Sequence, residues 1–189
     1  GDKAKEAGEI FSKKEWQGFQ LFMGENDNDG ILGPNEGAFC SACHVADWIP
    51  DPGNVYVPEW APEGFVPPVF TDFSYDNLGV PKSKHKLLRN NDVDLGLGLI
   101  VGDYNENGKF KVMPLRNIAD TAPYAHNGIF LTLDKITHFY NTRDVKNWDP
   151  PEYPDTVNDT ELGNLGLKGS DEEALVQFMK TLSDGYESK

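Results

Sequence analysis

The segment CSACH, residues 40–44, decides how the rest of this chain is interpreted. Its two cysteines are the only ones among the 189 residues. The Cys-x-x-Cys-His spacing is the attachment signature of c-type haem. It places both sulfurs along one edge of a porphyrin, where each can form a thioether, and it directs the histidine at the iron. The motif therefore predicts one covalently bound haem c, held by Cys40, Cys43 and His44.

Two other chemistries also use closely spaced cysteines. A redox-active dithiol of the Cys-x-x-Cys type lies beside a strand and a helix, and no strand pattern precedes Cys40. A zinc site would need a fourth ligand, and His44 is poorly placed to bind the same ion as its neighbour Cys43. Haem is the stronger interpretation on both counts.

The charge of the chain excludes some partners. Lys and Arg number 17 against 31 Asp and Glu, which gives a formal net charge of −14. Such a surface argues against nucleic acid and anionic membranes. It suits a small basic redox partner, attracted over a distance that salt would screen. The alternative is that the charge only keeps the protein in solution.

No stretch of the chain is long and apolar enough to span a bilayer. The first residues, GDKAKEAGEIF, lack the apolar region of a signal peptide. Because haem c is assembled outside the bacterial cytoplasm, we expect the mature form of an exported, periplasmic protein.

The hydrophobic pattern predicts a mainly α-helical protein. Its length fits a single domain over residues 1–189. Residues 47–69 hold six prolines and read as a long extended loop. No strong strand pattern is present, and a short helix is expected at the CSACH motif. Three helices are predicted at residues 13–23, 133–140 and 171–182, with N-terminal caps from Ser12 with Glu15, from Thr132, and from Ser170 with Glu173. The first has Trp16, Phe19 and Met23 at helical spacing.

An acidic insert, residues 25–36 (ENDNDGILGPNE), can be aligned with the calcium-binding loop of the EF-hand. Its glutamate at the first position and Pro34 weaken the match, and a solvated acidic turn is the alternative. The ligands would be Glu25, Asp27, Asp29, the carbonyl of Ile31, and Glu36.

Several runs after the haem motif carry a resemblance to a known family. They are FTDFSYDNLGVP (70–81), DLGLG (94–98), GKFKVMPLRNIADTAPYAHNG (108–128), TLDKITHFYN (132–141) and LGLKGSDEEALVQFMKTLSDG (165–185). In this order they resemble the C-terminal haem domain of the bacterial dihaem cytochrome c peroxidase and MauG family. The likeness covers about residues 10–186 and implies a cytochrome c-like helical haem domain with long irregular loops.

The resemblance also bears on function. Family members carry two haems, of which the C-terminal one stores or delivers an electron while the other reacts with peroxide. This chain has one haem motif, so electron transfer is the expected role. The alternative is a peroxidase or MauG-like oxidising enzyme, alone or as one chain of two. The redox partner would be a small basic cytochrome or a second haem-bearing chain.

The sixth iron ligand is the most informative residue to place. Position 140 follows His126 by fourteen residues, where the peroxidases have methionine and MauG has tyrosine. The resemblance therefore implies Tyr140, whose phenolate would stabilise ferric iron relative to methionine. Tyr140 could instead be a core aromatic residue, and Met113 or an open site are the other options.

Two further residues gain a role only through the resemblance. Arg116, in the run LRN, is expected to pair with a haem propionate, with a surface salt bridge as the alternative. His126 is similar to a histidine near the route between the two haems, and it is a candidate catalytic residue. Its alternative role is to hold a loop by hydrogen bonds. No role follows for His85 or His138.

Overall fold

The computed structural model describes residues 10–24, 37–46, 49–50, 65–66 and 68–187. Helices dominate this part of the chain and strands are few, so the prediction of a mainly α protein is confirmed. The α-helices are α1 (Lys13–Met23), α2 (Leu97–Val101), α3 (Leu133–Thr142) and α4 (Gly169–Lys180). Short 3₁₀ helices are formed by Cys40–Ala42, Tyr104–Glu106 and Ile118–Asp120.

The strands are two residues long and were not predicted. They form two antiparallel pairs, β1 (Ile49–Pro50) with β2 (Phe65–Val66), and β3 (Tyr75–Asp76) with β4 (Phe110–Lys111). The first pair lies within the proline-rich segment 47–69, most of which is outside the described residues, as is the acidic insert 25–36. No helix among the described residues is long and apolar enough to cross a membrane.

The cap of α1 is confirmed, and that of α4 is not where the sequence placed it. Ser12 Oγ accepts from the Glu15 amide at 3.3 Å, and the Glu15 carboxylate accepts from the Ser12 amide at 2.6 Å. The expected pairing of Ser170 with Glu173 is wrong, because α4 begins at Gly169 and Ser170 is already helical. Asp171 accepts there instead, from the Lys168 amide at 3.1 Å.

Helices α1 and α4 cross at a glycine. A methyl group built on Gly18 would lie 2.0 Å from the carbonyl oxygen of Ala174, so the two backbones meet where no side chain fits. The rings of Phe22 and Phe178 pack beside this point, tilted at 58° with centroids 5.1 Å apart. The buried face of α1 is therefore Glu15, Gly18 and Phe22, while the predicted stripe of Trp16, Phe19 and Met23 is only half-buried.

The crossing fills the first of two apolar clusters, and α4 contributes to both. Around Phe22 lie Phe70, Leu115, Phe178 and Leu182, with Cys40 packed against them. The second cluster contains Val80, Tyr124, Phe130, Leu133, Phe139 and Val176. Helix α3 contributes Leu133 and Phe139 to it. This helix is capped by Thr132 as predicted, at 3.3 Å from the Lys135 amide, and ends two residues later than expected.

Candidate functional site

The CSACH motif is tied directly to the end of α1. The amides of Ala38 and Phe39 both donate to the carbonyl of Leu21, at 2.8 and 3.2 Å. Cys40–Ala42 then forms the expected short helix, here a 3₁₀ turn. The His44 amide donates to the Cys40 carbonyl at 2.8 Å and closes this turn. The hydrogen bonds therefore fix the motif relative to the first apolar cluster.

The ring of His44 is oriented by a backbone carbonyl. Its Nδ1 lies 2.9 Å from the carbonyl oxygen of Phe70, which can only accept, so the proton is on Nδ1 and Nε2 is the metal-binding nitrogen. Burial lowers the pKa of His44, although the carbonyls of Phe70 and Met113 and the charge of Asp72 oppose this shift. The imidazole is therefore neutral, which is the form that binds iron.

The two thiols differ from those of a redox-active dithiol. Burial raises the pKa of Cys40 to about 12. Burial, with the carboxylates of Glu161, Asp72 and Asp76, raises the pKa of Cys43 to about 11. A catalytic dithiol needs an attacking cysteine of lowered pKa, so these surroundings argue against it. Within the described ranges no three His, Cys, Asp or Glu side chains come together to hold a metal ion.

The phenol of Tyr140 is affected by the charges of both cysteines. It lies half-buried on α3, a hundred residues further along the chain. Burial raises the pKa of its phenol, and the next largest causes are the charges of Cys40, Asp76 and Cys43. The phenol therefore lies within electrostatic range of both cysteines, while the Tyr140 side chain packs against the second apolar cluster. Helix α3 thus brings a tyrosine into the neighbourhood of the CSACH motif.

Two other candidate residues, Met113 and Arg116, lie near His44 or near the residue that orients it. Met113 has its backbone carbonyl against the His44 ring, while its side chain is 61% exposed. Arg116 is exposed, with Nε donating to the Pro68 carbonyl at 3.1 Å and its guanidinium 5.5 Å from the Phe70 ring centroid. The Arg116 guanidinium therefore lies over the ring of Phe70, whose backbone carbonyl orients His44.

His126 occupies a separate cluster. Its ring stacks on Phe110 at 3.8 Å with an interplanar angle of 3°. Its Nε2 bonds to the Glu152 carboxylate, and the two side chains are 13% and 9% exposed.

The calcium candidates Glu25, Asp27, Asp29, Ile31 and Glu36 lie outside the described residues. His85 is exposed, whereas His138 belongs to a polar cluster between α3 and α4.

One contributing residue was not singled out from the sequence. Phe70 acts through its backbone carbonyl, which no side-chain pattern reveals. Its position is fixed by its neighbour Thr71, which is 1% exposed and whose hydroxyl donates to the Val112 carbonyl at 2.6 Å. The only signal was that the run 70–81 formed part of the family resemblance.

These groups fit a haem. Two thiols three residues apart could form the thioethers, and a neutral imidazole with its outer nitrogen already bonded could bind the iron. Apolar residues such as Phe70 and Leu115 pack beside Cys40 and could cover part of the ring. The fold and the site together define a haem protein of the c type.

Comparison with known proteins agrees with this class. The chain is 31% identical to the cytochrome-c peroxidase IdrP2 of Denitromonas iodatirespirans over 182 residues, which are 93% of this chain and 41% of the relative. It is 35% identical to the methylamine utilization protein MauG of Paracoccus denitrificans (strain Pd 1222) over 134 residues, 61% of this chain and 35% of the relative. No protein-family model matches the chain.

Solved structures show the same fold. The diheme peroxidase BthA from Burkholderia thailandensis E264 superposes with a TM-score of 0.66 at 24% identity, over 93% of this chain and 43% of that one. A MauG-like protein associated with microbial copper homeostasis gives a TM-score of 0.60 at 24% identity, over 94% and 46%. The chain belongs to the MauG and dihaem peroxidase family, and it spans less than half the length of these relatives.

Proposed function

We propose that this chain is a cytochrome c-like electron-transfer domain that carries one haem c and corresponds to the C-terminal domain of its relatives. Cys40 and Cys43 would hold the haem, and His44 and Tyr140 would bind its iron. The observation that carries the proposal is the ring of His44, which the Phe70 carbonyl orients at 2.9 Å next to the two cysteines. A bound haem would supply one-electron redox chemistry, and iron held by both His44 and Tyr140 would have no position free for peroxide.

The protein's own residues suit a ferric, ligated iron. Burial keeps the Tyr140 phenol protonated in the protein alone, because a charged phenolate would be poorly solvated there. A bound cation reverses this preference and favours the phenolate. The Phe70 carbonyl orients His44, and Arg116, which lies over the Phe70 ring, would be the residue that pairs with a haem propionate.

The proposed partner is a basic redox protein outside the cytoplasm. The net charge of −14 supports a small basic cytochrome, and a second haem-bearing chain is the other candidate. We also propose that residues 1–189 form one domain and that the acidic insert 25–36 binds calcium, for which the sequence pattern is the support.

The second candidate function is a peroxidase or MauG-like oxidising enzyme. The names of the relatives favour it, since they include cytochrome-c peroxidases and MauG. General acid–base groups would be needed close to the iron. The candidate acid–base pair is His126 with Glu152, and the His126 ring stacks on that of Phe110.

Rapid mixing of the haem-loaded chain with equimolar peroxide separates the two functions. We expect the ferric haem spectrum to remain unchanged over seconds, because the sixth position is filled. We expect the ferrous protein to reduce a small basic cytochrome at a rate that falls as salt rises from 10 mM to 150 mM, since salt screens the attraction. Fast spectral change with peroxide, followed by turnover with a reductant, would identify the enzyme instead.

Replacement of Tyr140 by phenylalanine tests the iron ligand. The change Tyr140→Phe removes only the hydroxyl, so we expect a changed ferric haem spectrum and a higher reduction potential. Tyr124→Phe is the control, because Tyr124 belongs to the same apolar cluster but its hydroxyl donates to the Ile118 carbonyl at 2.8 Å. An unchanged spectrum in Tyr140→Phe would exclude the tyrosine as the ligand.

A further inference from the structure

A carboxylate between α3 and α4 binds the two polar residues that flank Tyr140. Glu172 lies in the first turn of α4, with 16% of its side chain exposed. Its two oxygens lie 2.9 and 3.0 Å from Nδ1 of His138. One of these oxygens also accepts from the side-chain amide nitrogen of Asn141 at 2.5 Å. A single negative group at the favourable end of a helix dipole therefore contacts α3 on both sides of the tyrosine.

The orientation of His138 follows from its second neighbour. Lys146 Nζ lies 3.0 Å from His138 Nε2. An ammonium group can only donate, so Nε2 accepts and the ring proton is on Nδ1, facing Glu172. Both ring nitrogens are thus hydrogen-bonded, and the side chain has one defined orientation between Lys146 and Glu172.

Asn141 extends the contact to the segment that precedes α4. It is 3% exposed. Its amide nitrogen donates to the Leu167 carbonyl at 2.9 Å, and its oxygen accepts from the Leu167 amide at 3.0 Å. The backbone carbonyl of Tyr140 accepts from the Gly163 amide at 2.7 Å. All these bonds hold the same turn of α3.

The rotation of α3 about its axis decides where the phenol points. Residues 138 and 141 are three apart and share a face of the helix, while Tyr140 is turned away from it. Phe139, 1% exposed, packs into the second cluster, with its ring 5.2 Å from that of Trp148. Polar bonds on one side and aromatic packing on another therefore fix the direction of Tyr140.

From this arrangement we propose that Glu172 is a positioning residue, which holds α3 through His138 and Asn141 so that the Tyr140 phenol meets the haem iron. The inference rests on the proposed function, because it takes Tyr140 as the ligand. Hydrogen-bonded groups outside the ligand set commonly orient the ligands of a metal site. Here the outer group acts on the helix that carries the ligand and does not touch the ligand itself.

The test is Glu172→Ala in the haem-loaded protein. We expect the ferric spectrum to move towards that of Tyr140→Phe. We expect cyanide to bind the ferric haem about 10-fold faster, because a less firmly held phenolate is displaced more easily. Glu172→Gln keeps an oxygen that accepts from His138, so it should restore most of the original spectrum and rate.

Glu173→Ala is the matched control. Glu173 is the next residue of α4, 55% exposed, and pairs with Lys14 of α1 at 2.5 Å. Its loss should leave the spectrum and the cyanide rate unchanged. A Glu172→Ala protein that melts at a lower temperature but keeps the original spectrum and rate would overturn the proposal, because Glu172 would then only stabilise the fold.

Two outcomes distinguish this proposal from the proposed ligand. If Tyr140→Phe changes the spectrum and Glu172→Ala does not, only the positioning role fails. If Tyr140→Phe itself leaves the spectrum unchanged, the ligand assignment fails and the positioning role with it. Should Glu172→Ala fail to load haem, His138→Ala decides, since an unchanged cyanide rate in that variant contradicts the proposal.

Discussion

The double substitution Cys40→Ala and Cys43→Ala is expected to release all of the haem from the denatured protein. The two thioethers would be the only covalent bonds between the chain and the haem. Without them the haem would depend on the iron bonds of His44 and Tyr140, which break when acid protonates the imidazole and the phenolate. The measurement is extraction into acidified organic solvent, together with haem staining after denaturing electrophoresis.

Ser41→Ala is the control for this experiment. Ser41 lies between the two cysteines, and its hydroxyl donates to the Met23 carbonyl at 3.3 Å. Its haem should stay with the chain under both treatments. Haem that stays attached in the double variant would contradict the attachment by Cys40 and Cys43.

Gly18→Ala is expected to cause a large loss of stability from a single methyl group. The added carbon would lie 2.0 Å from the Ala174 carbonyl oxygen, and its three nearest atoms all belong to Ala174 and Phe178 of α4. We expect the free energy of unfolding to fall by about 3 kcal/mol, the upper end of the usual cost of overpacking. For a chain of this size the melting temperature should fall by about 6–12 °C.

Gly169→Ala makes the same chemical change in α4 where there is room. A methyl group on Gly169 would have no atom within 4 Å. Alanine favours the helix by up to about 1 kcal/mol over glycine, so this variant should melt at the original temperature or slightly above. If Gly18→Ala melts no lower than the unchanged protein, the close crossing of α1 and α4 is wrong.

Local signals explain which parts of the fold could be predicted. The cap of α1 depends on residues three apart, Ser12 and Glu15, and the sequence located it correctly. At α4 two carboxylates compete for the same role. Asp171 could cap the helix with Lys168, and Glu173 could cap it with Ser170, because each pair is three positions apart. Asp171 is the one used, while Glu173 pairs with Lys14 of α1. Local sequence does not show this ion pair, because Lys14 comes from the far end of the chain.

The same distinction holds for the candidate site. Cys40, Cys43 and His44 are adjacent in sequence, so their chemistry could be predicted from spacing alone. The approach of Tyr140 to the thiols depends on the packing of α3, and only the family resemblance suggested it. The Phe70 carbonyl and the Glu172 carboxylate act through contacts 26 and 34 residues apart in sequence. No pattern of residue types marks such pairs.

The crossing of α1 and α4 also constrains the order of events in biosynthesis. Cys40 packs against a wall that includes Leu175, Phe178 and Leu182, all in or just after α4. This wall cannot form until α4 has folded and docked on α1. Until then the thiols face an open space in which a haem can be brought to them. If Cys40 and Cys43 hold a haem, we expect its attachment to precede the docking of α4, so that the protein folds around a cofactor already bound.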